Sequence, residues 1–343
     1  MFLNTKTFYP VGQGGFYSER IWNGFECRTV VYDCGAVNKD PTKKLQDCII
    51  SSGIKDVDVL VISHLDEDHI NGICNLESYL KQHASRLPLI LIPKPTPFDM
   101  LLFYNSVSQS VIAWYLNSAT QKRICFITDE KFSNEVNEPV ILNESVAGKN
   151  FSHDHFFTLF GMGHGTNPWL LKFYVDKDKY EGRLTDSEKN AITDVNTIDD
   201  FKKNKDFLKK IYKKVKLRLN GSSMSMASLP LLAKGNRMES FATWLNGDAS
   251  LKTELEMSAI EQHFSCLNGL NVDFQIPHHG SHHNLGRLPQ NVNNLRTYIW
   301  AGFNNKYGHP SGTILNMVKN SHKQCHWITE RTLMPIVLQE LWP

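Results

Sequence analysis

Two histidines and several acidic residues follow an apolar run within a few positions of the chain. The segment VDVLVISHLDEDHING, residues 57–72, changes abruptly from β-branched and aliphatic residues to His64, Asp66, Asp68 and His69. Imidazole nitrogen and carboxylate oxygen are ligands for zinc and for harder divalent cations, and a tight loop after a strand can aim several at one point. The spacing therefore favours a metal site over the alternative, a solvated acidic turn.

Further candidate ligands occur later in the chain, each after an apolar run. Asp248 ends the segment WLNGD, His278 and His279 lie in QIPHHGSHHN, and His309 lies in NNKYGHPSG. In open α/β sheets, binding sites form at the C-terminal ends of strands. We therefore expect these side chains to meet the His64 loop at one edge of a sheet.

The elements that must position these residues are predicted to be alternating strands and helices. The first 35 residues predict a β-meander, with turns at VGQGG and at Asn23-Gly24, whose last strand delivers Asp33 to its C-terminal end. PTKKLQDCIISSG predicts a helix, and VDVLVIS predicts a strand covered on both faces. This β-helix-β unit and the later alternation predict the α/β class.

Length and composition exclude several classes of protein. The 343 residues are 41% hydrophobic, which is typical of folded globular chains. Seven cysteines occur singly with no CxxC pair, which disfavours a disulfide framework and a thiolate zinc site. Because there is no apolar run of about 18 residues and no signal-peptide pattern at the start, we expect a cytoplasmic protein without a membrane span.

A lysine-rich segment is the main indication of a polyanionic partner. FKKNKDFLKKIYKKVKLRLN, residues 201–220, carries eight Lys and one Arg at helical spacing, with an apolar face that includes Tyr212. The opposite face could bind phosphates without sequence preference, and the alternative is an ordinary solvated helix face. The candidate substrate-binding residues on it are Lys209, Lys210, Lys213 and Lys214.

Seven short motifs, in this order, resemble a known family. They are VGQG, VYDCG, SHLDEDHING, NGSS, NGDA, PHHGS and KYGHP. Together they resemble the metallo-β-lactamase fold, in the branch typified by the hydrolase domain of ComEC-type DNA-uptake proteins. The resemblance implies a single α/β domain over residues 1–343, a four-layer αββα metallo-β-lactamase sandwich with insertions at about 94–160 and 176–219.

The same resemblance implies one or two divalent metal ions. His64 and Asp66 would bind one ion, and Asp68 and His69 would bind or orient the second. Asp248 matches a bridging carboxylate. Most relatives in the wider fold have His where this chain has Asp66, and the extra oxygen ligand favours manganese or magnesium relative to zinc without excluding zinc.

Other positions carry over as ligands, catalytic groups or braces. His279 is implied as a further ligand and His278 as a phosphate contact or general acid, and the two roles are interchangeable at this stage. His309 is either the last ligand or a contact to substrate and leaving group. Asp33 and Asn220 match positions that brace the metal ligands from behind. The catalytic candidates are Asp68, His278 and His309.

One ligand of the wider fold has no clear counterpart in this chain. His153, His155 and His164 lie in the right interval, but each is more readily explained as a surface or structural residue. His282 and His283 match no family position and are predicted to be loop residues near the site.

The implied function is metal-dependent hydrolysis. A metal ion lowers the pKa of its bound water, which fits the cleavage of phosphodiesters. The resemblance implies a nuclease that acts on DNA rather than RNA, in repair or antiviral defence. It also implies control by a regulatory protein partner. The alternative is a small-molecule hydrolase acting on a lactone, β-lactam, thioester or phosphoester, because one fold serves many reactions. A metal-binding module without catalysis is a third reading, which the intact ligand set disfavours.

Overall fold

A computed structural model describes residues 2–37, 41–84, 86–130, 139–160, 168–176, 184–215, 221–230, 240–321 and 323–342. Its strands are β1 (Phe2–Phe8), β2 (Gly14–Trp22), β3 (Cys27–Ala36), β4 (Val59–Val61), β5 (Leu89–Pro93), β6 (Ile124–Thr128), β7 (Val140–Ile141), β8 (Asn150–Ser152), β9 (Phe156–Thr158), β10 (Trp169–Asp176), β11 (Ser223–Pro230), β12 (Phe241–Leu245), β13 (Asn271–Gln275), β14 (Leu295–Trp300), β15 (Gln324–Ile328) and β16 (Ile336–Trp342). Its helices are α1 (Pro41–Ser51), α2 (Glu67–Ile70), α3 (Ile73–His83), α4 (Pro97–Ser106), α5 (Gln109–Tyr115), α6 (Ser118–Gln121), α7 (Asp186–Thr193), α8 (Ile198–Val215), α9 (Glu254–His263) and α10 (Gly312–Asn320).

The strands form two mixed sheets. The first has the order β16-β1-β2-β3-β4-β5-β6-β8, antiparallel from β16 to β3 and parallel from β3 to β8. The second has the order β15-β14-β13-β12-β11-β10-β9-β7, with a parallel block from β12 to β15. The fully buried VLV of β4 lies in the middle of the first sheet, as its continuous apolar run predicts.

The two sheets pack face to face. The ring of Phe8 on β1 stacks on Tyr298 of β14 at a centroid distance of 3.9 Å. Nearby, the hydroxyls of Tyr17 on β2 and Thr243 on β12 are 3.2 Å apart. Contacts between side chains of opposite sheets therefore form the central core.

Helices cover the outer face of each sheet. Buried side chains of α1 and α3, such as Leu45 and Leu76, pack against the first sheet, and α9 and α10 pack against the second through Met257, Ile260 and Ile314. The four-layer αββα sandwich expected from the sequence is confirmed. None of the described helices combines the length and the apolar run that crossing a bilayer requires.

Neighbouring strands bring their C-terminal ends to one edge of the sandwich. His64 follows β4, Asp248 follows β12, His278 and His279 follow β13, and His309 follows β14. The expected convergence at a sheet edge is therefore what the topology provides.

One positioning element differs from the prediction. Asp33 lies inside β3 and not at its end. The register between β2 and β3 shifts here, from Phe16 opposite Cys34 to Tyr17 opposite Tyr32, so Asp33 has no cross-strand partner. Its φ of 56° belongs to the left-handed region. A bulge of this kind redirects a side chain, and here it turns Asp33 toward the loop after β4.

Candidate metal centre

Asp33 and Ser63 hold the first histidine loop from behind. The Ser63 amide and hydroxyl donate to the two oxygens of Asp33 at 2.7 Å each. The Asp33 oxygen that accepts from the hydroxyl also accepts from His69 Nδ1 at 2.7 Å. All three residues are fully buried. These bonds fix the ring of His69 with its Nε2 atom directed away from Asp33.

The same arrangement defines the tautomer of His64. The Ser63 hydroxyl donates its hydrogen bond to Asp33, and the Ser63 oxygen therefore accepts a hydrogen bond from His64 Nδ1 at 2.9 Å. Both His64 and His69 then direct Nε2 toward the carboxylate oxygens of Asp248, at 3.5 and 3.3 Å. An imidazole nitrogen that faces a carboxylate at this distance is stabilised by positive charge, carried either by a proton on that nitrogen or by a bound cation.

Buried ligand atoms without hydrogen-bond partners favour the bound cation. His64 Nε2, His69 Nε2 and Asp248 Oδ1 are buried and have no hydrogen-bond partner among the described residues. Buried polar atoms without partners are costly and usually indicate an ion or a water. The donor set of imidazole nitrogens and carboxylate oxygens therefore fits a divalent metal ion.

Asp248 divides the ligands into two groups. Its Oδ1 atom lies 3.3 Å from His69 Nε2 and 3.9 Å from His279 Nε2, and its Oδ2 atom lies 3.5 Å from His64 Nε2 and 3.3 Å from His278 Nδ1. We name these the His69 half-site and the His64 half-site. One carboxylate facing both groups matches the bridging position implied by the sequence.

Each half-site has a second carboxylate. In the His69 half-site, Asp68 Oδ2 lies 2.9 Å from His279 Nε2, while His279 Nδ1 contacts the Trp300 carbonyl at 2.8 Å. In the His64 half-site, Asp66 Oδ2 lies 3.8 Å from His64 Nε2. Either half-site thus offers at least three ligand atoms.

Burial and mutual charge shift the pKa values of the cluster. Burial raises the pKa of Asp66 to about 6, against the attraction of His64. For Asp248, burial acts in the same direction but is outweighed by His278, His64 and His69, and the pKa is well below its ordinary value. Burial lowers the pKa of His69, but Asp33 and Asp248 raise it well above the usual value. The carboxylates thus favour positive charge at the site, carried by protonated histidines or by a metal ion.

His278 and His309 lie on the more open side of the cluster. Their ring centroids are 5.8 Å apart. Burial and the charge of His278 lower the pKa of His309 to about 4, so its ring is neutral at neutral pH. The ring centroids of His282 and His283 lie 3.8 Å apart at an interplanar angle of 40°, and both are exposed loop residues.

Comparison with known proteins gives matches in structure alone. No family model and no curated protein matches the chain. YhfI, a metallo-β-lactamase fold protein from Bacillus subtilis, is 10% identical with a TM-score of 0.42, over 98% of this chain and 99% of its own. A diphosphatase of the PhnP family is 11% identical with a TM-score of 0.40, over 100% of both chains.

The short form of human tRNase Z is 11% identical with a TM-score of 0.37, over 79% of this chain and 76% of its own. These values are too low to carry a function from any of the three proteins to this chain. The αββα assignment depends on the sheets and helices described above.

The remaining histidine candidates do not join the centre within the described part of the chain. His153 groups with Asp154 and His263, and the ring centroids of the two histidines are 4.8 Å apart. His153 Nδ1 accepts from the Val175 amide, which commits that nitrogen to a structural bond. His155 Nδ1 contacts the Ser152 carbonyl. His164 and Asn220 lie outside the described residues.

The sequence interpretation missed two contributors. Ser63 was part of the quoted motif, yet its role depends on the bulge at Asp33, which no local pattern announces. Asp99 on α4 accepts from the Ser222 amide and hydroxyl at 2.7 and 2.8 Å. Its pattern in TPFD indicates only a capping box, which is present with Thr96. A side chain on Gly221 would collide with Asp99 Oδ1, so glycine permits this close approach.

Asp99 helps to form a pocket beside the His64 half-site. The lining of this open pocket combines apolar side chains with the two half-site residues, Asp99 and Ser222. It is lined by His64, Leu65, Asp66, Pro93, Pro95, Asp99, Leu102, Gly221 and Ser222.

The four candidate lysines lie on α8 and do not contact the metal centre. α8 packs against α4, where the rings of Phe201 and Tyr104 are 5.6 Å apart. Lys214 forms an ion pair with Glu188 at 2.8 Å. Tyr212, predicted to face the protein, is 39% exposed, so that part of the helix prediction is wrong.

Proposed function

We propose that this chain is a metal-dependent hydrolase that cleaves phosphodiesters, with nucleic acid as the substrate and DNA favoured over RNA. The observation that supports it most is the set of unpartnered ligand atoms around Asp248. A single carboxylate between two half-sites suits two divalent ions, with zinc or manganese favoured and magnesium as a third option. Such ions, when bound, supply Lewis acidity for attack by water.

The chain's own residues would orient the substrate. We assign His64, Asp66, Asp68, His69, Asp248 and His279 to metal binding. His278 and His309 flank the open side, and a neutral His309 would offer an N–H hydrogen bond to a substrate oxygen. Asp33 would keep His69 in its ligand tautomer.

The basic helix supports a polyanionic substrate. Its lysines lie on α8, which packs on α4, and Asp99 of α4 lines the pocket beside His64. Within the described part of the chain, Lys209, Lys210 and Lys213 form no ion pair. Electrostatic binding to phosphates of this kind is independent of sequence and sensitive to salt.

The pocket beside His64 favours a second candidate, a small-molecule hydrolase. Its apolar side chains beside His64 and Asp66 would contact a compact substrate that carries one hydrolysable bond. The two candidates differ in the size of the best substrate and in the need for α8.

A hydrolysis panel separates them. The purified protein is incubated with linear, circular and single-stranded DNA, with RNA, with bis-p-nitrophenyl phosphate and with lactam and lactone substrates, in manganese, zinc, magnesium or EDTA. We expect metal-dependent cleavage of nucleic acid that is lost in Asp68→Ala and Asp248→Asn. Asp154→Asn, a carboxylate of the other histidine cluster, is the matched control and should retain activity. Turnover of small substrates alone would refute the nuclease proposal.

A further inference from the structure

An exposed aromatic surface lies on the loop that carries His309. Phe303 and Tyr307 on this loop are 47% and 55% exposed, and Trp327 on the neighbouring β15 is 40% exposed. We name these three side chains the aromatic rim. The ring centroids of Phe303 and Trp327 are 6.4 Å apart, and contiguous exposed apolar groups on a protein surface often mark a binding site.

The rim belongs to an ordered loop. The Asn305 side chain donates to the carbonyls of Gly302 and His309 and accepts from the amides of Tyr307 and His309, at 3.1 and 3.0 Å. One side chain thus ties both ends of the loop together. The backbone that carries Tyr307 is therefore already ordered, and little conformational entropy of the loop is lost when a ligand binds.

A chain of ring contacts links the rim to the metal centre. The rings of Tyr307 and His309 are nearly parallel, at 17°, with centroids 6.1 Å apart. His309 is next to His278, whose Nδ1 lies 3.3 Å from Asp248. A group stacked on Tyr307 would therefore be a close neighbour of a phosphate held between His278 and His309.

Cationic side chains accompany the aromatic rings. The Arg331 guanidinium lies over the ring of Phe303 at 3.8 Å, and the Lys306 ammonium lies 5.2 Å from the ring of Tyr307. One acid is also present, Glu330, which accepts from the Phe303 amide at 3.0 Å. Alternating aromatic and cationic groups complement nucleotides, which alternate flat bases and anionic phosphates.

We propose that the aromatic rim binds unpaired bases of single-stranded nucleic acid next to the phosphate that is cleaved. The inference builds on the proposed function and specifies its substrate. Bases in a duplex already stack on each other and are not available to a surface ring, whereas unpaired bases stack on aromatic side chains. Tyr307 would make the principal stack and Phe303 a second one.

Binding is measured by fluorescence anisotropy on the metal-loaded protein. The probes are a labelled phosphorothioate oligothymidine, which resists hydrolysis, and a labelled hairpin duplex. Tyr307→Ala should weaken binding of the single strand by roughly 5- to 150-fold, as loss of a stacked base would. Phe303→Ala should weaken it less, and Tyr307→Phe should bind like the wild type because the ring remains. Phe25→Ala, at the 90% exposed aromatic of the β2–β3 turn, is the matched control and should change nothing.

Several results would overturn the proposal that the aromatic rim binds unpaired bases. They are unchanged affinity in Tyr307→Ala, an equal loss in Phe25→Ala, a loss in Tyr307→Phe, preference for the duplex, or no binding by the wild type. Thermal unfolding of each variant shows whether it is folded. If binding depends on Tyr307 but no metal-dependent cleavage is seen, the proposed function is refuted and base binding by the rim is retained. If cleavage is insensitive to Tyr307→Ala, only base binding by the rim is refuted.

Discussion

Asp33 orients a candidate ligand although it belongs to a different strand from the histidine loop. Its carboxylate accepts three hydrogen bonds, two from Ser63 and one from His69. A carboxylate can accept all three, but an asparagine amide would direct N–H groups toward one of these donors. The tautomer that exposes His69 Nε2 therefore depends on the charge and the acceptor capacity of Asp33.

We expect Asp33→Asn to reduce metal affinity by about 10- to 100-fold, since partners that orient a metal ligand typically have effects of this size. Isothermal titration with zinc or manganese measures it. Asp58→Asn is the control, because Asp58 accepts from the Thr29 amide and from Arg28 in the same sheet but away from the site. Equal affinities for wild type and Asp33→Asn would contradict the bracing role.

At the scale of elements, local patterns predicted the strands and the loops that follow them. The buried VLV of β4 and the polar loop after it are adjacent in sequence, so a short window contains the information. The grouping into two half-sites is different. His278 and His64 face the same oxygen of Asp248. The reason is that the end of β4 in one sheet lies beside the ends of β12 and β13 in the other sheet, at one edge of the sandwich. That relation is set by packing and cannot be derived from spacing.

The bulge at Asp33 and the exposure of Tyr212 show the same limit. A bulge depends on the register between two strands, and no residue of VYDCG requires one. Tyr212 has the helical spacing of a buried residue, but in this fold the neighbouring layer leaves it 39% exposed. Periodicity predicts the centre of an apolar face better than its borders.

Helix α8 gives a prediction about charge. Lys209→Glu with Lys213→Glu should weaken binding of DNA and reduce the dependence of its affinity on salt, because each lost phosphate contact lowers that slope by about 0.7 to 0.9. Lys214→Glu should have a smaller effect, since Lys214 already pairs with Glu188. Anisotropy titrations over a range of salt concentrations test both. If the double variant binds with unchanged slope, the basic face is only a solvated surface.

At the scale of the whole molecule, a buried ion pair joins the two sheets. Lys6 on β1 and Asp273 on β13 are fully buried and 2.7 Å apart, and Lys6 also donates to the Phe241 carbonyl. Asp273 is further bonded to Arg296 and Tyr298. Loss of Lys6 would leave the carboxylate with partners on one side of the sandwich only.

We expect Lys6→Met to lower the free energy of unfolding by about 3 kcal/mol, the lower end of the usual range for breaking a buried pair, because Arg296 still compensates Asp273. Urea unfolding of the metal-free protein measures this value. Lys81→Met is the control and should change it by less than about 0.5 kcal/mol, because Lys81 is 60% exposed and Glu77 keeps its bonds to Trp114 and Arg123. A small effect of Lys6→Met would mean that this ion pair contributes little to the packing of the two sheets.

The backbone is strained at three residues of the candidate site. Asp33, His278 and His279 have φ values of 56°, 47° and 55°, in a region where side chains other than glycine's cost on the order of 1 kcal/mol or more each. For a fold whose total stability is typically about 5–15 kcal/mol, that is a substantial strain. If these side chains were not needed, glycine would relieve it at every one of the three positions. We therefore expect each of these three side chains to serve the site at a cost in stability.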